Sequence, residues 1–198
     1  MKKIVVIGPE STGKSTLCEQ LAKHYGTLWC PEYARAYLLK HGKKYTYNDL
    51  LTIAKGQLAM EDEYNAMMNL PDSRLTTLRQ AQGVAHPLTS SGCRSGLLFI
   101  DTDMYVMKVW SEFVFGKCHR FILEQIIERH YDLYLLCQVD LPWIKDELRE
   151  YPDLKKRQEL YLIYKDIMIN QPVPWVEIRG SYEERLQKAI EGIELTLD

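Results

Sequence analysis

Residues 4–16 read IVVIGPESTGKST, and this stretch decides the fold. Ile4, Val5, Val6 and Ile7 form a short apolar run of the kind that fills a strand buried on both faces. From Lys14 onward, Leu17, Leu21, Ala22 and Tyr25 recur at helical spacing, so strand, glycine-bearing loop and helix are predicted in that order. Gly8, Gly13, Lys14 and Ser15 satisfy G-x-x-x-x-G-K-[ST] at the joint. Glycines let the backbone curl until several N–H groups face one anion, and the helix N-terminus adds partial positive charge. Phosphate is therefore expected there, with Lys14 reaching its outer oxygens and the Ser15 hydroxyl joining the coordination of Mg²⁺.

Working outward, the same alternation continues. Thr27 to Cys30 predicts a second short strand broken by Pro31, and EYARAYLLKHG a helix that stops at Gly42. Thr46, with Asp49 three residues on, has nearly the spacing of a capping box and opens a helix to about Asn69. LLFID, YDLYLLC and Val173 to Ile178 are further strands, separated by helical patterns at Met104 to Phe115, at His119 to His130 and in the charged DELREYPDLKKRQELYLIYKDI. Ser181 and Glu184 form a second capping-box pair before the last helix. Strands alternating with helices imply an α/β fold with a mainly parallel sheet covered on both faces. Residues 71–96 break the pattern, with no Phe, Tyr or Trp, several Ser and Thr, three Gly and two Pro, and read as a disordered or flexible insertion, or alternatively a functional lid, in one domain spanning 1–198.

The totals narrow the function classes. At 198 residues, 46% hydrophobic and 26% charged, the chain is an ordinary globular domain. A net charge of -2 lacks the basic excess of a general nucleic-acid binder, and no nucleic-acid partner is expected. The opening MKKIVVIGPE carries too short an apolar run for a signal peptide, and no stretch approaches the roughly 18 apolar residues of a membrane span. Cys18, Cys30, Cys93, Cys118 and Cys137 are odd in number and never paired as C-x-x-C, which points away from a disulfide framework or zinc cluster and toward a reducing cytoplasm.

A phosphate loop needs a carboxylate near the metal, and Asp101 at the end of LLFID meets that demand. Asp103 lies two residues on, where an extended backbone points both carboxylates to one side. One would then serve Mg²⁺ and the other a substrate hydroxyl; the alternative makes Asp103 the cap of the next helix. Glu32 follows the second strand near the sheet edge where open α/β folds bind ligands. It is placed to hold or deprotonate a hydroxyl, with Arg35 steadying a phosphate or the carboxylate itself; alternatively the two form a solvated ion pair. Arg149 and Arg157 lie where a lid would bring arginines over a transferred phosphoryl group, or else on a helix surface. The histidines have no metal-ligand spacing.

Taken together and in this order, GPESTGKSTL, PEYAR, the helix containing IAKGQ, FIDTD, DLYLLC, LPWIKDELR and GSYEERLQKAI resemble the nicotinamide riboside kinase domain of the NadR family of P-loop NTPases. The resemblance covers nearly the whole chain except 71–96. It implies a nucleoside-kinase-type fold, expected as five parallel strands in order 2-3-1-4-5, and transfer of the ATP γ-phosphate to the 5′-hydroxyl of nicotinamide riboside. On that resemblance Gly8, Glu10, Ser11, Thr12, Gly13, Lys14, Ser15 and Thr16 look like the ATP phosphate site, and Asp101 like the magnesium-linked carboxylate. Glu32, Tyr33, Arg35, Gln57 and Asp103 look like the riboside neighbourhood, and Arg149 and Arg157 like lid arginines. Which carboxylate acts as base stays open. Pro31 stands where some members carry a tryptophan that stacks on the nicotinamide ring, so Tyr33 or Trp143 is expected to stack instead. Bifunctional members add a nucleotidyltransferase domain and some a DNA-binding segment; with Met1 seven residues before Gly8, a stand-alone kinase is expected. Two alternatives keep the motifs. One is a kinase for another nucleoside or hydroxylated metabolite. The other is a non-catalytic nucleotide-dependent switch or lipid-associated binding protein, since the wider family includes eukaryotic members linked to trafficking.

Overall fold

Five parallel strands in the order β2-β3-β1-β4-β5 form the sheet: β1 (Lys2–Ile7), β2 (Trp29–Cys30), β3 (Leu97–Asp101), β4 (Leu133–Cys137) and β5 (Trp175–Ile178). The computed structural model describes residues 1–69, 77, 78, 80–83 and 96–197. The order expected from the resemblance is the order found. β1 is central, pairing with β3 through Val6 and Asp101 and with β4 through Ile7 and Leu136. The end of β3 therefore lies beside the start of the loop that leaves β1.

Because Ile4 to Ile7 of β1, Leu97 to Ile100 of β3 and all of β4 are buried on both faces, these runs carry large apolar or aromatic residues in succession instead of alternating. On one face, Ile4, Val6, Phe99 and Leu135 pack against Leu17 and Leu21 of α1 (Lys14–Tyr25) and Ala189 and Ile193 of α7 (Tyr182–Leu197). On the other, Val5, Ile7, Ile100 and Leu136 meet Val106 and Val109 of α4 (Met104–Phe115) and Leu160, Tyr164 and Met168 of α6 (Leu154–Asn170). A third cluster joins α4 to α2 (Tyr33–His41), α3 (Tyr47–Met67) and α5 (Arg120–Glu128). This side layer carries the PEYAR segment.

Both capping boxes form. The Asp49 N–H donates to Thr46 Oγ1 at 3.3 Å and the Thr46 N–H to Asp49 Oδ2 at 2.7 Å, while Ser181 and Glu184 exchange the equivalent pair at 3.3 and 2.7 Å. One helix differs from the reading of the sequence. DELREYPDLKK does not begin helical: residues 138–153 are irregular, and α6 starts only at Leu154, behind Pro152 and capped by Asp153, whose Oδ1 accepts the Lys155 N–H at 3.0 Å. Proline disfavours helical backbone in the residue before it, and Pro142 and Pro152 keep this segment open.

Most of the stretch 71–96, read as an insertion, lies outside the described residues. Within it, the Gln82 amide pairs with edge strand β2, accepting from the Trp29 N–H at 3.3 Å and donating to the Trp29 carbonyl at 2.9 Å. A side chain thus occupies an edge that would otherwise present unpaired backbone groups.

Candidate active site

The loop after β1 uses left-handed backbone at three points: Gly8 (φ 140°), Ser11 (φ 57°) and Gly13 (φ 78°). At Gly8 there is also no room, because a Cβ would lie 2.7 Å from the Cys137 carbonyl oxygen. The Thr12 hydroxyl donates to the Pro9 carbonyl at 2.7 Å and closes the curl from inside. The Lys14 ammonium donates to the same carbonyl at 3.0 Å, and the Ser15 hydroxyl donates to Asp101 Oδ2 at 2.5 Å. Asp101 is buried, and its second oxygen has no hydrogen-bond partner among the described residues.

A cavity of about 350 Å³ opens from this loop. Gly8 to Thr16 and Asp101 form its floor; Glu32 and Arg35 stand at one side; Trp29, Trp110, Phe113, Tyr151 and Tyr164 supply aromatic walls; and Arg149 comes from the 138–153 segment. Glu32 is the N-cap residue of α2 but makes no capping bond with its side chain. Burial, and next the charge of Asp101, push the Glu32 carboxyl above the usual carboxylate range, while Lys14 and Arg35 pull it back. Burial likewise raises Asp101, against the pull of Lys14 and Ser15.

The segment 138–153 is fastened from both sides of the cavity. On the loop side, Ser11 Oγ accepts the Ile144 N–H at 3.1 Å, and the Glu10 carboxylate accepts the N–H groups of Glu150, at 2.9 Å, and of Tyr151. On the other side, Arg35 makes a two-pronged pair with Asp146 at 2.9 and 3.3 Å, and the Tyr45 hydroxyl donates to Glu150 at 2.9 Å. Arg149 donates to the Ile144 carbonyl within the segment. Arg157 does not line the cavity but shares a helix face with Leu160 and Tyr164, which do; it is buried, and its Nε and Nη1 have no partner among the described residues.

Four expectations change. Asp103 does not reach the cavity, because Thr102 takes a φ of 82° and breaks the extended alternation that would have aligned it with Asp101. Its Oδ1 instead accepts the N–H groups of Tyr105 and Val106 at 3.0 and 3.2 Å, and Oδ2 accepts the Tyr134 hydroxyl at 2.8 Å. Burial pushes this carboxyl up to about 7. Tyr33 lies against Gly56 in the side layer, not over the cavity. Gln57 is buried with its amide bonded to the Tyr33 N–H, the Pro31 carbonyl and Cys30 Sγ, and Trp143 does not line the cavity either.

Other residues escaped the sequence reading. Trp110, Phe113 and Tyr151 look like ordinary apolar positions until the fold gathers them. Arg185 did leave a signal: a charged residue in the stripe Arg185, Ala189, Ile193. It is buried and donates to the carbonyls of Thr12, Gln138 and Gly180 at 2.9, 3.0 and 2.8 Å, besides pairing with Asp140. It props the phosphate loop from below.

Among the described residues no helix is long and apolar enough to cross a membrane, and no group of three or more His, Cys, Asp or Glu is placed to hold a metal alone. Magnesium shared with a ligand's phosphates needs only one or two protein groups, and the buried Asp101 oxygen beside Ser15 fits that demand.

A family model described as an AAA domain matches residues 3–185. The trifunctional NAD biosynthesis/regulator protein NadR of Escherichia coli (strain K12) is 26% identical over 196 residues, covering 96% of this chain and 42% of the relative. The chain thus spans less than half the length of that curated relative. Among solved structures, NadR protein in complex with NR superposes with a TM-score of 0.68 at 21% identity, over 98% of this chain and 49% of that one. Thymidylate kinase from Ehrlichia chaffeensis follows with a TM-score of 0.57 at 16% identity, over 98% of both chains. The chain belongs to the AAA domain family of P-loop proteins, is homologous to NadR and has the P-loop kinase fold.

Proposed function

We propose that the chain is an ATP-dependent kinase that phosphorylates the 5′-hydroxyl of nicotinamide riboside to give nicotinamide mononucleotide. The observation that carries this reading is one cavity in which Glu32, free of its own helix, faces the phosphate loop, Lys14 and the Ser15–Asp101 pair. The homology to NadR directs the choice of acceptor.

In this reading Gly8 to Thr16 hold the donor's phosphates through backbone N–H groups and Lys14. Ser15 and Asp101 would hold Mg²⁺, which when bound neutralises phosphate charge. Glu32 accepts the proton of the acceptor hydroxyl as the new O–P bond forms and the bond from the γ-phosphorus to the bridging oxygen breaks, releasing ADP. Burial raises Glu32's affinity for that proton. Arg149 offsets charge on the moving phosphoryl group, and Arg157 joins it when its buried guanidinium turns toward a phosphate. Trp29, Trp110, Phe113 and Tyr151 offer flat apolar surface to a planar base, in place of Tyr33 and Trp143.

The test is turnover of ATP and Mg²⁺ with a panel of nucleosides. Nicotinamide riboside should be the preferred acceptor, with Glu32→Gln costing about 10² to 10⁴ in kcat. Turnover of other nucleosides without nicotinamide riboside would sink the acceptor assignment. Nucleotide binding with no acceptor-dependent turnover at all would favour a switch protein instead.

A further inference from the structure

We propose that Gln57 is a positioning residue that sets the aim of the Glu32 carboxylate by holding the backbone on both sides of it. The inference rests on the reading of Glu32 as the base. Gln57 is 1% exposed on α3 and does not line the cavity, so it is not placed to touch a ligand. Its Oε1 accepts the Tyr33 N–H at 2.7 Å, and its Nε2 donates to the Pro31 carbonyl at 3.3 Å. These are the residues immediately before and after Glu32.

The bond to the Tyr33 N–H ties down the first residue of this helix from outside it. An N-cap side chain ordinarily turns back to accept one of the first free N–H groups of its helix. Glu32 does not, and the first free N–H of the helix, that of Tyr33, goes instead to Gln57 on the neighbouring helix. The glutamate carries no capping bond and lines the cavity. Gly56, the residue before Gln57, completes the seat: a Cβ there would lie 2.2 Å from the Tyr33 ring, so the ring rests directly on the α3 backbone. Gly56 and Gln57 together give the Pro31 to Tyr33 turn one steric and one polar support. With no bond from its own helix, the Glu32 side chain takes its direction from that turn.

The test is a double-mutant cycle in the whole chain, measured with ATP, Mg²⁺ and nicotinamide riboside. Gln57→Met keeps the volume and removes both bonds, together with a longer one from Nε2 to Cys30 Sγ at 3.8 Å. It should lower kcat by about 10- to 100-fold, the range that a misplacement of about 1 Å costs, while KM for ATP changes by less than about twofold. In a Glu32→Gln background the same change should cost less than about threefold, because the two residues act as one unit. If Gln57→Met does not fold, Gly56→Ala displaces the same turn through Tyr33 and enters the same cycle with the same expectation. Full activity in the Gln57 or Gly56 variant, with Glu32→Gln crippled, overturns the positioning role and leaves the base assignment standing. Additive losses in the double variant also overturn it. Full activity in Glu32→Gln refutes the base assignment itself, and this inference with it.

Discussion

Arg185→Met tests whether the phosphate loop depends on support from the last helix. The substitution keeps an unbranched stem in the α1–α7 layer but removes a guanidinium that is 2% exposed and bonded to three backbone carbonyls and Asp140. Each hydrogen bond from a charged donor contributes about 1.5–3 kcal/mol, which would sum to more than is reasonable for groups sharing one side chain. Asp140 keeps 32% of its side-chain exposure and rehydrates once released, which discounts its share. Leaving a buried acceptor without a donor costs about 1–3 kcal/mol, and three such carbonyls toward the lower end of that range give about 3–5 kcal/mol. At about 2–4 °C per kcal/mol for a domain of this size, the melting temperature should fall by about 6–20 °C.

The effect should not be on stability alone. The Thr12 carbonyl sits inside the loop, so its release should loosen nucleotide binding at temperatures where the variant is still folded. Calorimetric unfolding and titration with an ATP analogue measure the two parts separately. A melting temperature lowered by less than about 3 °C together with unchanged analogue affinity would refute the claim that Arg185 props the loop.

Other outcomes follow from the same geometry. Asp103→Asn retains an oxygen for the Tyr105 and Val106 N–H groups and should keep kcat within about threefold, whereas Asp103→Ala should lose about 0.5–2 kcal/mol of stability with the cap; steady-state kinetics and melting curves distinguish the two. Glu10→Ala should raise hydrogen exchange at the Glu150 and Tyr151 amides by about tenfold or more while leaving that of β1 unchanged, and unaltered exchange at both amides would contradict the tie. Asp49, held down first by the Tyr37 hydroxyl and then by Thr46, should titrate at about 2 by NMR and move toward its ordinary 3.8 in Tyr37→Phe. Because the folded value is depressed, the capping box stabilises the fold above that ordinary value and stops doing so as the pH falls toward 2.

The fold was legible because its strongest signals are local. A strand, a glycine loop and a helix stand in thirteen consecutive residues, and each apolar run of the sheet is bounded by turn residues. The curl of the loop after β1 was legible for the same reason, since it follows from the spacing of its glycines. The rest of the cavity was not, because it is assembled across the chain: Glu32, Trp110 and Tyr151 share it only after β2, α4 and the 138–153 segment are in place. Asp103 shows where the local argument failed. Its spacing from Asp101 supported a shared face only if Thr102 were extended, and nothing in FIDTD announces a positive φ at threonine, a residue that rarely adopts one. Gln57 failed in the other direction, since the family resemblance put it among the riboside contacts, while its bonds to Tyr33 and Pro31 are visible only in three dimensions.

The strengths of these contacts order what can move. The Ser11–Ile144 tie on 138–153 is a neutral hydrogen bond worth about 0.5–1.5 kcal/mol, the bonds to the Glu10 and Glu150 carboxylates are worth up to about 1.5–3 kcal/mol each before solvent screening, and the Arg35–Asp146 pair, whose arginine is 51% exposed, contributes at most about 1 kcal/mol. The loop beneath is held by a buried arginine, by Gly8 pressed against Cys137 and by the sheet itself. On this reading the segment, held by exposed or partly exposed ties, releases before the phosphate loop yields, and its fastenings run both to that loop and to Arg35 and Tyr45 across the cavity. In the proposed kinase, phosphates on the loop would meet Glu10 as a neighbouring negative charge and an acceptor beside Arg35 would compete with Asp146 for the guanidinium, so ligands on the two sides would load different ties to the same segment.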